Sequence, residues 1–307
     1  MACSAGVKGR ANMDAYLVAI AIQVLIYTLL CIGLNLHYGF TGLINFGHVA
    51  FYCIGAYTSA LLAIAGFPIW IAMVAAILLA ALSSYPIGIL SLRLGSHYLA
   101  IVTLGFSEVI RLFAHNEEWL TGGAEGLTAI PKPFLSLGVG TGTETAYMGV
   151  LIVLILIAVV VTLRLVKSPF GRVIEAIRDG EDAVRSLGKD PARFKMQVLM
   201  IGAGLAGLAG ALQAHYITYL TPEQFTPLVT FLVWMAMIMG GTGKISGAVV
   251  GSTILLAILE GSRFLRDVLP GVSEVDMASV RLGAVGLALI LFTLYRPQGL
   301  MGDYSKR

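Results

Sequence analysis

Long apolar runs without charged residues alternate with short charged segments along the whole chain. No Asp, Glu, Lys or Arg occurs between Asp14 and Arg93, a stretch long enough for three membrane crossings of about 20 residues each. Backbone polar groups cannot stay unpaired in lipid, and the runs lack the alternating pattern of a β-barrel, so they predict transmembrane helices. Further uncharged runs follow at Thr145–Leu163, Met196–Pro222, Gln224–Gly243, Ile245–Leu259 and Leu282–Tyr295.

These runs predict an all-α fold, a polytopic transmembrane helical bundle of about eight to ten spans. The runs last about as long as a helix needs to cross the hydrocarbon core. The predicted spans are Ala15–Leu36, Ile44–Ala65, Ile69–Leu92, Tyr98–Phe113, Ala146–Leu165, Met196–Tyr216, Val229–Gly240, Ala248–Phe264 and Val280–Tyr295.

Two of these predicted spans differ from the others. Ile44–Ala65 is entered through Asn35–Gly47, which contains Gly and Asn residues, and Val229–Gly240 ends at the Gly-rich segment Gly240–Gly247. Short or Gly-interrupted apolar segments are typical of the broken helices of transporters. The two segments are therefore either broken or re-entrant helices or ordinary loops.

The composition supports a membrane protein. The chain is 58% hydrophobic and 12% charged, with a mean hydropathy of +0.88, whereas soluble domains carry roughly 25% charged residues. The net charge of +3 says little about partners, and the three cysteines do not suggest a disulfide framework. We predict a disordered N-terminal leader over residues 1–14, a single transmembrane domain over residues 15–301 and a tail over residues 302–307.

Basic residues in the loops predict the orientation, because cytoplasmic loops carry an excess of Lys and Arg. The segment from Leu163 to Met196 is rich in both and is predicted to be cytoplasmic, whereas His115–Thr145 is mostly acidic and is predicted to lie outside. Counting spans forward makes the C-terminal tail cytoplasmic. Counting backward makes the N-terminus external, while its own cations favour the inside, so one N-terminal span is re-entrant or split in two.

A short amphipathic helix is predicted inside the basic loop, which covers about residues 166–195. Ser168-Pro169 marks its start and Gly180 its break, with Val173, Ile174, Ala176 and Ile177 on the apolar side. The polar side is formed by Arg172, Glu175, Arg178 and Asp179. A membrane surface favours cations alone on such a face. Because acidic and basic residues are mixed here, we expect the groove of a partner protein to cover the apolar face.

Two segments resemble nucleotide-binding motifs without their context. Gly202–Gly207 fits G-x-G-x-x-G but lies inside an apolar run, where Gly202, Ala206 and Gly210 form a small-residue stripe that predicts close helix packing. Gly243-Lys244 lacks both the leading Gly and the following Ser or Thr of a P-loop. The chain is therefore not expected to bind ATP itself.

Polar residues at membrane depth are costly, so they are candidates for function. Asn35, Asn45 and His48 lie in the N-terminal apolar region, and His48 is either a satisfied interface histidine or a substrate ligand. Glu108 and Arg111 have the i,i+3 spacing of an intrahelical pair. The sequence suggests no metal site and no pair of nucleophile and base, so we predict neither a catalytic residue nor a bound cofactor.

Six motifs follow one another along the chain. They are Gly42-Leu-Ile-Asn-Phe-Gly-His-Val-Ala-Phe51 with Ile54-Gly-Ala-Tyr57, Leu99-Ala-Ile-Val-Thr-Leu-Gly-Phe-Ser-Glu-Val-Ile-Arg111, Leu120-Thr-Gly-Gly123, Ser168-Pro-Phe-Gly-Arg172, Gly240-Gly-Thr-Gly243 and Arg296-Pro-Gln-Gly-Leu300. In this order they resemble the LivH/LivM-type permeases of branched-chain amino acid ABC importers, and the LivM type in particular. The resemblance covers essentially the whole chain after Asp14. One departure is Ala248, where the family often has Pro.

The resemblance implies a permease domain with the LivH/LivM-type fold in a bacterial inner membrane. It implies as partners a second, LivH-type permease, two cytoplasmic ATPase subunits that bind ATP and magnesium, and a periplasmic substrate-binding protein, with no nucleic acid. The helix around Gly171–Leu187 would be the coupling helix, with Arg172, Glu175, Arg178 and Asp179 as coupling residues. Asn35, Asn45 and His48 would belong to the substrate pathway.

Two other functions remain open at this point. The same kind of importer can carry urea, short amides or aromatic acids, because its selectivity rests largely on the separate binding protein. An ion-coupled secondary transporter would instead need a buried carboxylate in mid-span. Glu108 and Glu260 are predicted to lie near span ends, which disfavours that alternative.

Overall fold

The structure is a computed structural model that describes residues 2–91, 96–133, 143–268, 274–296 and 298–301. Over these residues it is helical, apart from turns and one isolated β-bridge between Leu127 and Leu220. The helices are α1 (Ala2–His37), α2 (His48–Ile64), α3 (Ile69–Ser91), α4 (Ser96–Asn116), α5 (Glu118–Thr121), α6 (Thr143–Lys167), α7 (Pro169–Asp179), α8 (Glu181–Ser186), α9 (Pro191–Ile217), α10 (Pro227–Gly240), α11 (Ile245–Val268) and α12 (Glu274–Tyr295).

The predicted all-α, polytopic membrane fold is confirmed, with fewer long spans than expected. Five helices in the described residues are long and apolar enough to cross a membrane, or six if the bent pair α10–α11 is one span. The segments His48–Ile64 and Gly283–Tyr295 are apolar but shorter. Helix α1 continues through residues 2–14, for which a disordered leader was predicted, and the predicted tail lies outside the described residues.

Helix α9 lies at the centre of the bundle, packed against α1, α2 and α3. Small residues allow the close approach: a Cβ added at Gly210 would lie 2.0 Å from the carbonyl oxygen of Tyr52, and one at Gly202 would lie 2.1 Å from Nε2 of His37. Ala206 is fully buried. The small-residue stripe therefore lies where the backbones of neighbouring helices meet.

Large apolar side chains cover the outer surface. Leu78 on α3, Ile101 on α4 and Leu156 on α6 are each more than half exposed. A continuous apolar exterior of this kind would be unstable in water, but lipid tails solvate it. The outer faces of these helices are therefore suited to the hydrocarbon core.

Helices α10 and α11 form a broken element. Their axes differ by 118° across a break of at most four residues, so the segment forms a broken or re-entrant helix rather than an ordinary loop. Gly241 and Gly243 have φ values of +112° and +78°, which residues other than glycine rarely adopt. The Gly-rich sequence is thus required by the backbone of the break.

The connection between α1 and α2 is irregular and mostly buried. It covers residues 38–47, which neighbouring helices enclose. Non-helical backbone at membrane depth is tolerated only where protein or a water-filled cavity surrounds it. The predicted span Ile44–Ala65 accordingly becomes a buried irregular entry followed by α2.

Candidate functional site

Asn35 connects the end of α1 to the break between α10 and α11. Its Oδ1 accepts a 2.9 Å hydrogen bond from the backbone N–H of Gly243, and its Nδ2 donates a 2.9 Å bond to the carbonyl oxygen of Lys244. Asn35 is 1% exposed. A helix break inside a membrane leaves backbone groups without helical partners, and this amide satisfies one donor and one acceptor of the break.

Arg178, at the end of α7, reaches the same region. Its Nη1 donates a 2.8 Å hydrogen bond to the carbonyl oxygen of Gly39, in the turn that follows α1. A Cβ added at Gly243 would lie 3.6 Å from Nη1. Helix α7 belongs to the basic loop of about residues 166–195, which we call the charged loop. Its end, the end of α1 and the α10–α11 break therefore meet in one place, which we call the junction (Asn35, Gly39, Arg178, Gly243 and Lys244).

The C-terminal segment packs against the same break. The backbone N–H groups of Leu300 and Met301 donate 3.0 Å hydrogen bonds to the carbonyl oxygens of Met239 and Gly240, the last residues of α10. These bonds satisfy carbonyls at a helix C-terminus that would otherwise lack partners. The segment of the closing motif that the structure describes is thus part of the support of the broken helix.

The loop helix α7 does not leave its apolar face open, which differs from the expectation. Ile174 and Ile177 are buried, because α7 packs on α6 and α9 of its own chain. The rings of Phe170 and Phe194 lie 5.6 Å apart across one of these contacts. The interior of this chain, rather than the groove of a partner, covers the apolar side.

The exposed face of the loop carries both charged and apolar side chains. Arg172, Ala176 and Asp179 are exposed on α7, and Leu187, directly after α8, is 79% exposed. We call these four residues the outer surface of the loop. Lys195 on α9 fixes α8 from the inside through a 2.6 Å ion pair with Glu181.

The four predicted coupling residues therefore separate into two groups. Arg172 and Asp179 lie on the outer surface, whereas Arg178 turns inward and its side chain is only 28% exposed. Glu175 is half-buried and lines a groove with Lys167 and Lys244. Amphipathic periodicity could not separate these residues, because the turn that accepts Arg178 is more than a hundred residues away in the sequence.

The other two predicted pathway residues, Asn45 and His48, join a buried network. Nδ1 of His37 lies 3.1 Å from Nδ2 of Asn45, and Nε2 of His37 lies 3.1 Å from the carbonyl oxygen of Leu199 on α9. The ring of His48 meets that of His37 edge-on at 5.4 Å. Sequence reasoning missed His37, although its place at the end of the first apolar run was a usable signal.

His48, on α2, lies at the interface with α1. Its Nε2 lies 3.1 Å from the carbonyl oxygen of Leu30, and its Nδ1 has no hydrogen-bond partner among the described residues. Close packing surrounds the ring, since a Cβ on Gly33 would lie 3.1 Å from it. Asn35, Asn45 and His48 are each at most 1% exposed. The Asn35 and Asn45 amides bond to irregular backbone at Gly243, Lys244 and Gly47, whereas His48 bonds to a carbonyl of α1.

Helix α10 holds the start of α2 in place. The hydroxyl of Thr230 accepts a 3.0 Å hydrogen bond from the backbone N–H of Val49, and Nε1 of Trp234 donates a 3.0 Å bond to the carbonyl oxygen of Asn45. These bonds satisfy backbone groups at a helix start and in an irregular segment. A movement of α10 would therefore pull directly on the entry of α2.

Glu108 and Arg111 form the predicted intrahelical ion pair on α4. Arg111 also reaches Glu223, which precedes α10, through a 3.3 Å contact. The Arg111 side chain is 17% exposed and that of Glu223 66%. Within the described parts of the chain, no three His, Cys, Asp or Glu residues lie close enough together to hold a metal ion.

Comparisons with known proteins agree with this architecture. A sequence model of the family described as "Branched-chain amino acid transport system / permease component" matches residues 16–292. The LivM permease protein of Escherichia coli K12, named for a high-affinity branched-chain amino acid transport system, is 36% identical over 92% of this chain and 69% of its own length. No solved structure matches.

More distant relatives belong to the same group of transport systems. A probable LivM permease of Methanocaldococcus jannaschii is 25% identical over 75% of this chain and 68% of its own length. A LivH permease of Salmonella typhimurium LT2 is 26% identical over 90% of this chain and 91% of its own length. The chain is thus similar to both permease types, with higher identity to the LivM protein of E. coli.

Proposed function

The chain belongs to the family of branched-chain amino acid transport system permease components, and from this membership we propose that it forms half of the membrane pathway of an ATP-driven importer of branched-chain amino acids. A member of this family is a transport subunit rather than an enzyme. Hydrolysis of ATP, with its magnesium, would occur on separate ATPase subunits. This chain would bind no cofactor.

The structural observation that carries the proposal is the connection from the outer surface of the loop, through the junction, to the membrane helices. An importer driven from outside the membrane needs a surface on which the ATPase docks and a rigid path from it to the membrane helices. The outer surface of the loop has exposed charges together with an exposed apolar side chain, Leu187. Interfaces commonly combine an apolar anchor with a polar rim, so this surface fits a docking role.

Arg178 and Asn35 are the proposed path into the membrane. Arg178 links α7 to Gly39, directly after α1. Asn35, about one helical turn before Gly39, links the end of α1 to Gly243 and Lys244 in the break. When the ATPase pair closes on ATP, α7 would move and the α10–α11 break would follow. Alternating access requires an element with two conformations whose populations depend both on ATP at the ATPase and on substrate in the membrane pathway. The α10–α11 break is the proposed element.

The orientation follows from the basic loop. Because cytoplasmic loops are enriched in Lys and Arg, α7 and α8 would face the cytoplasm, where the ATPase subunits reside. The chain would then lie in the inner, or plasma, membrane with its C-terminus on the cytoplasmic side. A second, LivH-type permease would complete the pathway, and a periplasmic binding protein would deliver the amino acid from the opposite side.

Co-purification tests the proposed assembly. The tagged chain is extracted from its native membrane in mild detergent, and the accompanying proteins are identified by mass spectrometry. A second permease and an ATPase subunit in stoichiometric amounts would support the importer. A chain that purifies alone, and that moves substrate in vesicles without ATP, would contradict it.

A further inference from the structure

A groove of about 480 Å³ lies between the C-terminal end of α6 and the N-terminal end of α11. Leu163 and Val249 contribute to its apolar walls, and its lining also includes Lys167, Glu175 and Lys244. A second groove, of about 340 Å³, shares Leu163 and Lys167 with the first and adds Arg164. Because the two grooves share these lining residues, we call them together the α6–α11 groove.

The α6–α11 groove has an excess of positive charge. Three cations, Arg164, Lys167 and Lys244, line it together with one carboxylate, that of Glu175, which gives a formal charge of +2. None of these four side chains forms an ion pair within 4.0 Å in the described parts of the chain. Such a groove attracts an anion.

The walls of the groove are exposed and apolar. Val160, Leu163 and Val249 are 47%, 37% and 41% exposed. Helix α6, which carries Val160 and Leu163, is long and apolar enough to cross a membrane, and α11, which carries Val249, meets that test together with α10. Exposed apolar side chains on such helices are suited to contact with lipid. Apolar walls below a cationic rim match a molecule with an anionic head and a hydrocarbon body.

We propose that the α6–α11 groove binds an anionic phospholipid. Its phosphate would lie between Lys167 and Lys244, and one acyl chain would lie along Leu163 and Val249. Basic pockets between membrane helices recognise anionic headgroups in this way. The proposal depends only on the location of the chain in a membrane, so it can fail or succeed independently of the importer function.

A lipid fits the groove better than two other occupants. Free phosphate would use the lysines but has no hydrocarbon to pack against the apolar walls, whereas an acyl chain makes van der Waals contact with them. A second protein subunit would have to bring carboxylates to three unpaired cations. A phospholipid of the surrounding bilayer supplies both the charge and the hydrocarbon, and it is present at high local concentration.

Lipid binding by the importer assembly tests the proposal. The chain is purified with the subunits that accompany it, and phosphatidylglycerol or phosphatidylcholine is added at defined ratios before native mass spectrometry. The double variant Lys167→Gln/Lys244→Gln is compared with Lys189→Gln, which removes an exposed lysine that does not line the groove. The variant Lys167→Arg/Lys244→Arg keeps the charge and checks that the fold tolerates changes at both positions.

The expected result is a selective loss. Each lysine beside an anionic headgroup is worth about a fivefold change in affinity, so the Gln pair should bind phosphatidylglycerol about 25-fold more weakly. Phosphatidylcholine binding, the Lys189→Gln variant and the Arg pair should stay near wild type. Equal binding by the Gln pair and the wild type, or an equal loss in Lys189→Gln, would overturn the proposal. Displacement of the lipid by inorganic phosphate at equal concentration would also overturn it.

Discussion

The side-chain oxygen of Asn35 accepts a 2.9 Å hydrogen bond from the backbone N–H of Gly243, although the two residues are 208 positions apart in the sequence. Asn35 lies in the last turns of α1, and Gly243 lies in the break of the α10–α11 element. The bond closes the bundle at the point where the charged loop also arrives, through Arg178. It therefore joins α1 to the α10–α11 break, next to the place where Arg178 is proposed to transmit the movement of the ATPase.

The Asn35 amide should be needed for stability. In Asn35→Leu the backbone N–H of Gly243 and the carbonyl of Lys244 lose their partner, and each unpaired buried group costs about 1–3 kcal/mol. We expect a lower apparent melting temperature of the detergent-purified assembly. Asn116→Leu, a matched change at the exposed end of α4, should melt like the wild type. Equal melting of both variants would show that the amide bridge contributes nothing.

Arg178 should matter for coupling and not for docking. Arg178→Ala removes a charge-assisted hydrogen bond to Gly39, worth about 1.5–3 kcal/mol, so transport should fall by about one to two orders of magnitude. The ATPase subunits should still co-purify, because Arg178 turns inward and is not part of the outer surface. Loss of these subunits in Arg178→Ala, together with wild-type uptake by any assembly that remains, would contradict its assignment as an internal link.

The outer surface of the loop should hold the ATPase. In Leu187→Asp a charge replaces the exposed apolar side chain, and burying an unpaired charge in an interface is costly. We expect the amount of co-purifying ATPase to fall at least tenfold, with the chain itself still folded in the membrane. Arg185→Asp is not a neutral control, because Arg185 pairs with Glu181 within the loop. Lys189→Gln, at an exposed position two residues away, changes the charge by the same −1 and should have a smaller effect.

The centre of the bundle should not tolerate a methyl group on α9. A Cβ at Gly210 would lie 2.0 Å from the carbonyl oxygen of Tyr52, and overpacking of this kind costs about 1–3 kcal/mol. Gly210→Ala should therefore lower the melting temperature or the yield of folded protein. At Gly149 on α6 no atom beyond the adjacent backbone of its own helix lies within 4 Å of the added Cβ, so Gly149→Ala should be neutral or slightly stabilising. The opposite order of the two variants would contradict the packing.

Local pattern in the sequence was enough to predict the elements and several of their interruptions. Uncharged runs predicted the membrane helices, and the Gly-rich stretch Gly240–Gly247 indicated the break after α10, because only glycine adopts such backbone angles without strain. The start of α7 at Ser168-Pro169 followed from capping rules. These features depend on residues close together in the chain.

Features that depend on tertiary contacts could not be predicted. The inward turn of Arg178 depends on the carbonyl of Gly39, and the covered apolar face of α7 depends on α6 and α9. The role of His37 depends on Leu199, 162 residues away. Hydrophobic periodicity shows that a face is apolar, but it does not say which protein covers it.

Reconstituted transport tests the central claim most directly. The purified assembly is placed in liposomes with the binding protein outside, and uptake of radiolabelled leucine is measured with ATP or a non-hydrolysable analogue supplied on the side of the ATPase. ATP-dependent uptake that the analogue does not support, and that Arg178→Ala lowers, is the predicted result. Uptake at the same rate without hydrolysable ATP, or driven by an ion gradient alone, would contradict the account.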